Sequence, residues 1–281
     1  MNAKELADNA ENLGHKVFVG RILDLSSFVS KKESRFWLEG EDVTDVDICF
    51  VRSFGPGSCE QLTRRISMIE HMELSGIRVV NPCYAFRRAR DKYATQYMLS
   101  IAGLPTVETY TTEDLESAYE WTKNLGEFVY KPILGSMGRG SIKFEDPDLA
   151  YNAWKTLSRL SQPILIQKFI KNPGRDIRVF IVGEEAIGVA FKYPAPGMWK
   201  TNVAQGGTMK SDSVPTEYIE LAVKATKVLG LDYAGVDLLE SDEGPIILEV
   251  NGSPGWQALK ESTGVDVAKK IIEYATGLLE V

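Results

Sequence analysis

The sequence predicts an α/β protein built of interleaved subdomains, and three features carry that expectation. Strand, turn-rich loop, helix and strand succeed one another over roughly the first 85 residues, the βαβ rhythm of a parallel sheet. An apolar strand at 128–132 then runs into a glycine-rich loop, Gly135-Ser-Met-Gly138-Arg-Gly140. Near the C-terminus a hairpin over 234–251 sets acidic side chains within apolar strands.

In chain order, residues 3–13 read as a helix closed by Gly14, and 17–19 as a short strand. The polar stretch 30–41 is a loop or hairpin around Phe36-Trp37-Leu38. A strand at 47–52 meets the turn-rich SFGPGS; a helix over 60–75 stops at Gly76, and 77–81 is another strand. This is a small Rossmann-like unit without its usual opening strand, so either the start is late or the domain does without that strand. Next come a helix over 90–102, a strand at 107–109, a helix over 112–124, strands at 128–132 and 141–144, a helix over 148–160 and a strand at 164–169. Strands at 176–182 and 186–191, a helix over 217–229, the hairpin and a helix over 265–277 complete the chain.

Composition narrows the function classes. A net charge of −7 argues against a nucleic-acid binder. No run of eighteen apolar residues suggests a membrane span, and the N-terminus lacks a signal-peptide pattern. Cys49, Cys59 and Cys83 share no CxxC spacing and read as free thiols of a cytoplasmic protein. His15 and His71 are the only histidines, and each reads as structural.

Four stretches point to chemistry. Lys131 stands near the end of the strand before the glycine loop. Glycines let backbone amides converge on phosphate oxygens, and a nearby lysine adds positive charge. The pattern is neither a P-loop nor a dinucleotide fingerprint, and a hairpin turn shaped by glycine is the equal alternative. In the C-terminal hairpin, Glu249 and Asn251 share a face, and a short turn sets Asp237 opposite residue 248 or 249. Two carboxylates and an amide oxygen suit Mg²⁺ shared with phosphates; the plain alternative is a solvated hairpin face. Gln167-Lys168-Phe169-Ile170 could offer backbone polar groups and apolar walls to an adenine, though most such strands are simply core. Arg178, Lys200 and Asn202 could neutralise phosphate; the plain alternative is a salt bridge and a polar loop.

Taken in order, Asp91-Lys92, Lys131-Pro132, GSMGRG, QKFI, GRDIRVFIVG, WKTNVAQGG, Asp237 and EVNGSPG resemble the ATP-grasp superfamily, within it the RimK-like glutamate ligases. The resemblance spans roughly residues 78–275. It implies an ATP-grasp fold in three parts: a Rossmann-like pre-ATP-grasp domain (1–90), a central lid subdomain (91–168) and a C-terminal subdomain with the metal site (169–281). ATP would contact Lys92, Lys131, Gly135, Ser136, Gly138, Gly140, Gln167, Lys168, Phe169, Ile170, Asp176 (on the ribose side), Lys200, Thr201 and Asn202. Arg178, Lys200 and Asn202 would stabilise the transferring phosphoryl group. Asp237, Glu249 and Asn251 would hold Mg²⁺, with Mn²⁺ as its alternative. The implied reaction joins an amine, L-glutamate, to a carboxylate acceptor through an acylphosphate.

The stretches FVRSFGPGSCEQLTRRIS and EVNGSPGWQALKESTGVDVA look most like the branch that adds glutamate to tetrahydromethanopterin. Arg52, Arg64 and Arg65 would suit an anionic acceptor, the loop 53–58 a flat ring, and Trp256 a stacking partner; the plain alternative for the arginines is surface charge. Other acceptors are a protein C-terminus or a deazaflavin coenzyme, and a reading of a different class is a non-catalytic ATP-binding regulator. The sequence leaves a homo-oligomer open.

Overall fold

A computed structural model of the chain describes residues 2–135 and 137–279. Helix α1 (Asn2–Asn12) forms as expected, but its buried side does not meet the nearest strand in sequence. Leu6 packs with Val80, Trp256 and Ile271, and α1 lies along α9 (Val267–Gly277) from the far end of the chain. The strand expected at 17–19 is absent, and the segment runs as irregular backbone. Three apolar residues gain nothing from an extended conformation unless another strand lies beside them, and none does. Instead β1 (Leu25–Val29), β2 (Ser34–Leu38) and β3 (Glu41–Asp42) form an antiparallel meander, which realises the expected hairpin. Phe36 is wholly buried there against the edge of His71, and His71 Nε2 sits 2.7 Å from Ser34 Oγ. That contact makes His71 structural; His15 is exposed.

The expected βαβ unit is present. Strands β4 (Ile48–Phe50) and β5 (Arg78–Val80) pair in parallel and are joined through α2 (Cys59–Leu74). Ser58 starts that helix with a reciprocal cap: its Oγ accepts from the Gln61 amide (3.2 Å), and Gln61 Oε1 accepts from the Ser58 amide (3.0 Å). The helix expected over 90–102 forms as α4 (Lys92–Ile101), and a helix absent from the sequence expectation, α3 (Cys83–Arg90), runs up to it. Asp91 breaks the run with an extended backbone (φ −92°, ψ 109°) and caps α4, accepting from the amides of Tyr93 and Ala94. Residues 109–112 extend the next strand, so the helix expected from 112 begins later, as α5 (Leu115–Thr122), capped by Asp114.

Two further sheets frame the site. The first has the order β6 (Thr109–Thr112), β9 (Ile164–Lys168), β7 (Phe128–Tyr130), β8 (Ile142–Phe144). Helices α5 and α6 (Pro147–Arg159) pack together beside it, burying Phe128, Trp154, Ile164 and Ile166. The second is fully antiparallel: β12 (Thr208–Ser211), β11 (Glu185–Tyr193), β10 (Asp176–Val182), β13 (Tyr233–Ser241), β14 (Gly244–Asn251). Its apolar face, with Ile177, Val179, Val236 and Leu238, is covered by α7 (Thr216–Leu229). On the other face Phe180, Tyr233 and Trp256 pack under α1, α9 and α8 (Gln257–Thr263), whereas the remaining half of that face is polar. Strand β12 and helix α8 have no counterpart among the elements expected from the sequence.

The parallel pair is stitched to this large sheet by Asn81, which is wholly buried. Its Nδ2 donates to the carbonyls of Tyr233 (2.9 Å) and Gly252 (2.7 Å), and its Oδ1 accepts from the amides of Asp232 and Tyr233. Among the described residues no helix is long and apolar enough to cross a membrane.

Candidate active site

Strand register builds the polar floor. Residues directly opposite in an antiparallel pair share a face. Asp176 stands opposite Lys192, Arg178 opposite Asp237, Asp237 opposite Glu249, and Gly235 opposite Asn251. The expected pairing of Asp237 is therefore realised with Glu249, and an irregularity in register after Asp237 leaves Leu248 beside the cavity.

Charge is concentrated on this floor. The Arg178 fork donates to both oxygens of Asp237 (2.6 and 2.8 Å), and Lys192 Nζ donates to Oδ2 at 2.9 Å. Burial of Asp237 pushes its carboxyl up, but Arg178 and Lys192 outweigh that and hold it at about 2. Glycine is required at 235, because a Cβ there would stand 2.6 Å from Arg178 Nη1. Asp176 accepts from the Thr201 hydroxyl and lies 3.6 Å from Lys192; burial raises its pKa despite that lysine. Its carboxylate is thus engaged in anchoring the 200–202 loop. Asp176 also lines the cavity, where the expectation set it on the ribose side. Lys192, 3% exposed, is a site residue missed in the sequence. The signal was available: like Lys131, it is a lysine inside an apolar strand, one residue beyond where that strand was expected to end.

The four-stranded sheet forms the roof. Lys131 follows β7 and is half-buried, and burial pushes its pKa down to about 8 against the pull of Glu249. Lys92 Nζ donates to the Gly135 carbonyl (2.7 Å) and lies 3.9 Å from Glu249 Oε1. The glycine loop rests on the segment after β11: Lys200 Nζ donates to the Gly138 carbonyl (3.1 Å) and Gln205 Nε2 to that of Met137 (2.7 Å). Gly138 has φ +65°, and a Cβ there would come within 2.2 Å of Asn202 Oδ1. Closure therefore depends on the missing side chain. Ser136 lies outside the described residues.

Roof and floor enclose a cavity of about 420 Å³ lined by Lys131, Gly138, Phe169, Lys200, Asp237 and Glu249, among others. At its apolar end the 167–170 segment is selective about what it leaves free. The Lys168 and Phe169 amides donate to the carbonyls of Glu108 (3.1 Å) and Glu127 (3.0 Å), whereas the Ile170 amide has no acceptor among the described residues. Gln167 is 2% exposed; its Nε2 donates to Thr109 Oγ1, leaving Oε1 buried and without a donor. A free acceptor and a free amide beside the Phe169 ring match the edge of an adenine.

The expected acceptor residues do not form a site. Trp256 is wholly buried and donates to Glu5 (2.7 Å), so it cannot stack on a substrate ring. Arg52 lies 4.7 Å from the centre of that indole and donates to Tyr233 Oη and the Pro254 carbonyl. Arg65 is buried and holds the carbonyls of Phe54 and Pro56, shaping the 53–58 loop, and Arg64 donates to the Leu25 carbonyl. These cations brace backbone turns. Gly252 likewise has a packing role that the sequence hid: a Cβ there would crowd Leu231, Ala89 and Phe86.

This two-layer clasp is shared with known enzymes. The fold is similar to the ligase PsnB (TM-score 0.77, 19% identity, covering 98% of this chain and 94% of that one). It is also similar to D-alanine–D-alanine ligase from Bacillus anthracis (TM-score 0.73, 19% identity, 100% and 92%). The protein is an ATP-grasp ligase, an enzyme that forms C–N bonds. More narrowly, residues 89–275 match the RimK-like ATP-grasp domain, and the chain belongs to that family. It is 31% identical to the tetrahydromethanopterin:alpha-L-glutamate ligase of Methanosarcina acetivorans, over 94% of this chain and 92% of the relative. To the protein of that name from Methanocaldococcus jannaschii it is 35% identical (82% and 79%). A probable alpha-L-glutamate ligase of Trichodesmium erythraeum is 30% identical (97% and 91%). These relatives make the chain a member of the ATP-grasp glutamate ligases, and the family uses ATP and Mg²⁺. With an enzyme family shown, the non-catalytic regulator reading falls.

The donor set fits Mg²⁺. Asp237, kept ionised, and Glu249 and Asn251 would supply hard oxygens on adjacent strands. Asp237 is held meanwhile by Arg178 and Lys192, and Asn251 Oδ1 accepts from the Ser253 amide. Among the described residues no three His, Cys, Asp or Glu side chains form a metal cluster by themselves, so phosphate oxygens and water would complete the shell.

Proposed function

We propose that this enzyme adds L-glutamate to a carboxylate of tetrahydromethanopterin, cleaving ATP to ADP and phosphate. The observation that carries this reading is likeness over nearly the whole chain to ligases of that name, extending through the N-terminal unit as well as the ATP clasp.

In this reading the adenine lies against Phe169, its amino group donating to Gln167 Oε1 and a ring nitrogen accepting from the Ile170 amide. Lys131, Lys200 and the glycine-loop amides hold the phosphates, with Lys92 fixing the loop through the Gly135 carbonyl. Asp237, Glu249 and Asn251 would hold Mg²⁺, which when bound would supply positive charge against the phosphates. Arg178 and Lys192 keep Asp237 ionised and oriented. An acceptor carboxylate oxygen attacks the γ-phosphorus as the bond to the β-phosphate bridge breaks. The glutamate nitrogen then attacks the acyl carbon, loses a proton, and phosphate leaves. Loop closure keeps water from the acylphosphate.

The test is ATP cleavage by the purified enzyme, which should require both glutamate and tetrahydromethanopterin and yield a pterin heavier by one glutamyl unit. Glutamylation of a peptide C-terminus or a deazaflavin, with no response to the pterin, would sink the acceptor assignment and leave the ligase class standing.

A further inference from the structure

With Arg52, Arg64 and Arg65 engaged, a different arginine in the same region is left with its charge unanswered. Arg90 is the last residue of α3. Its guanidinium stands 5.2 Å from the centre of the Phe54 ring and 5.9 Å from that of Phe86, and its buried Nη1 has no acceptor among the described residues. Burial alone acts on its pKa, downward, with no carboxylate opposing it. Seating a guanidinium this way costs stability, since neither an anion nor a hydrogen-bond acceptor compensates its lost hydration. Aromatic faces hold it in one place without neutralising it.

Its position gives that charge a use. Phe54 belongs to the loop after β4, at the end of a parallel strand, where ligands of α/β units gather. The neighbouring Ala89 packs against Gly252, which follows Asn251. Two residues further on, Lys92 reaches Glu249. Arg90 therefore stands at the seam between the N-terminal unit and the charged floor of the clasp.

We propose that Arg90 is the seat of a substrate carboxylate, fixed by Phe54 and Phe86 and orienting one of the two organic substrates toward the phosphate end of the cavity. The inference rests on the glutamate-ligase reading, in which both organic substrates carry carboxylates. A bidentate guanidinium contact of this kind fixes direction as well as affinity.

The full-length enzyme with Arg90→Met and with Arg90→Lys tests it, by KM for ATP, L-glutamate and tetrahydromethanopterin and by thermal unfolding. One organic substrate should show a KM raised about 10- to 100-fold in Arg90→Met, the range of a charged hydrogen bond. Arg90→Lys should recover part of that loss, with KM for ATP unchanged. A rise confined to the pterin assigns the acceptor's carboxylate, and one confined to glutamate assigns the amine donor's. Tm of Arg90→Met should equal or exceed that of the wild type, because a buried Nη1 with no acceptor among the described residues has been removed. A lower Tm with equal loss toward all three substrates, or unchanged KM for both organic substrates, overturns the proposal. Calorimetric titration with glutarate, without ATP, separates the two readings. Glutarate binding abolished by Arg90→Met in an enzyme that never glutamylates the pterin would preserve the seat and remove the acceptor. Pterin glutamylation indifferent to Arg90 would do the reverse.

Discussion

Lys131 is a lysine whose environment works against its charge. With burial holding its pKa at about 8, the folded protein releases this proton well below the ordinary lysine value of 10.5. The sign follows from linkage: between those two pH values the unfolded chain binds the extra proton, so this group's contribution to stability rises with pH there. ATP binding in the proposed reading asks for the opposite state, since Lys131 as a phosphate ligand would have to be charged. We therefore expect kcat/KM for ATP, which reports the free enzyme, to fall as pH rises through about 8. Lys131→Arg should abolish that inflection, because a guanidinium stays protonated. A wild-type profile flat from neutrality to pH 9.5 would remove Lys131 from the phosphate site.

Among elements, the glycine loop and the 167–170 segment show how a local rule becomes a ligand site. A strand end between two neighbours has most of its amides taken, and β9 leaves the one at 170 free only because the sheet ends there. The loop depends on a contact in place of a hydrogen-bonded ladder: Gly138 accepts the Asn202 side chain where a Cβ would stand. Gly138→Val should hold the loop off Lys200 and Asn202. A displacement of this size near the chemistry costs on the order of 10²-fold in kcat/KM. Tm should fall less than turnover: valine is strained at φ +65°, but Gly138 lies in a loop whose local opening relieves that strain. Equal damage to Tm and turnover would return the loop to the role of a structural hairpin turn.

For the whole molecule, Asn81 is the test of how the parts are joined. Its four buried hydrogen bonds run from the parallel pair to the backbone at the start of β13 and to the Gly252 turn, next to Asn251. Asn81→Ala would leave those backbone groups without partners, and at about 1 kcal/mol or more for each the loss in denaturant unfolding should be about 4 kcal/mol. Metal-dependent turnover should fall with it, because the turn after Asn251 loses its brace. Loss of stability near zero would mean that the other contacts between the two parts, Arg52 with Tyr233 and Pro254 and Arg78 with Asp232 among them, hold them without Asn81.

Much of this was legible in the sequence, because the rules involved are local. Alternation placed Glu249 and Asn251 on one face, the short turn set Asp237 opposite, and the lysine before a glycine loop marked the end at which phosphates are proposed to bind. Helix and strand order followed from periodicity, and family membership from motifs in series. Only the tertiary structure decided which charges are free. A side chain's availability depends on the carbonyls and carboxylates that approach it from remote segments, and a linear chain carries no signature of those meetings. Arg52 and Trp256 are engaged by residues some two hundred positions away, Asp176 by Thr201 and Lys192, and α1 by the C-terminal helix. Arg90 carries the same charge as its neighbours in the sequence, but within the fold two aromatic rings hold it and no acid among the described residues answers it.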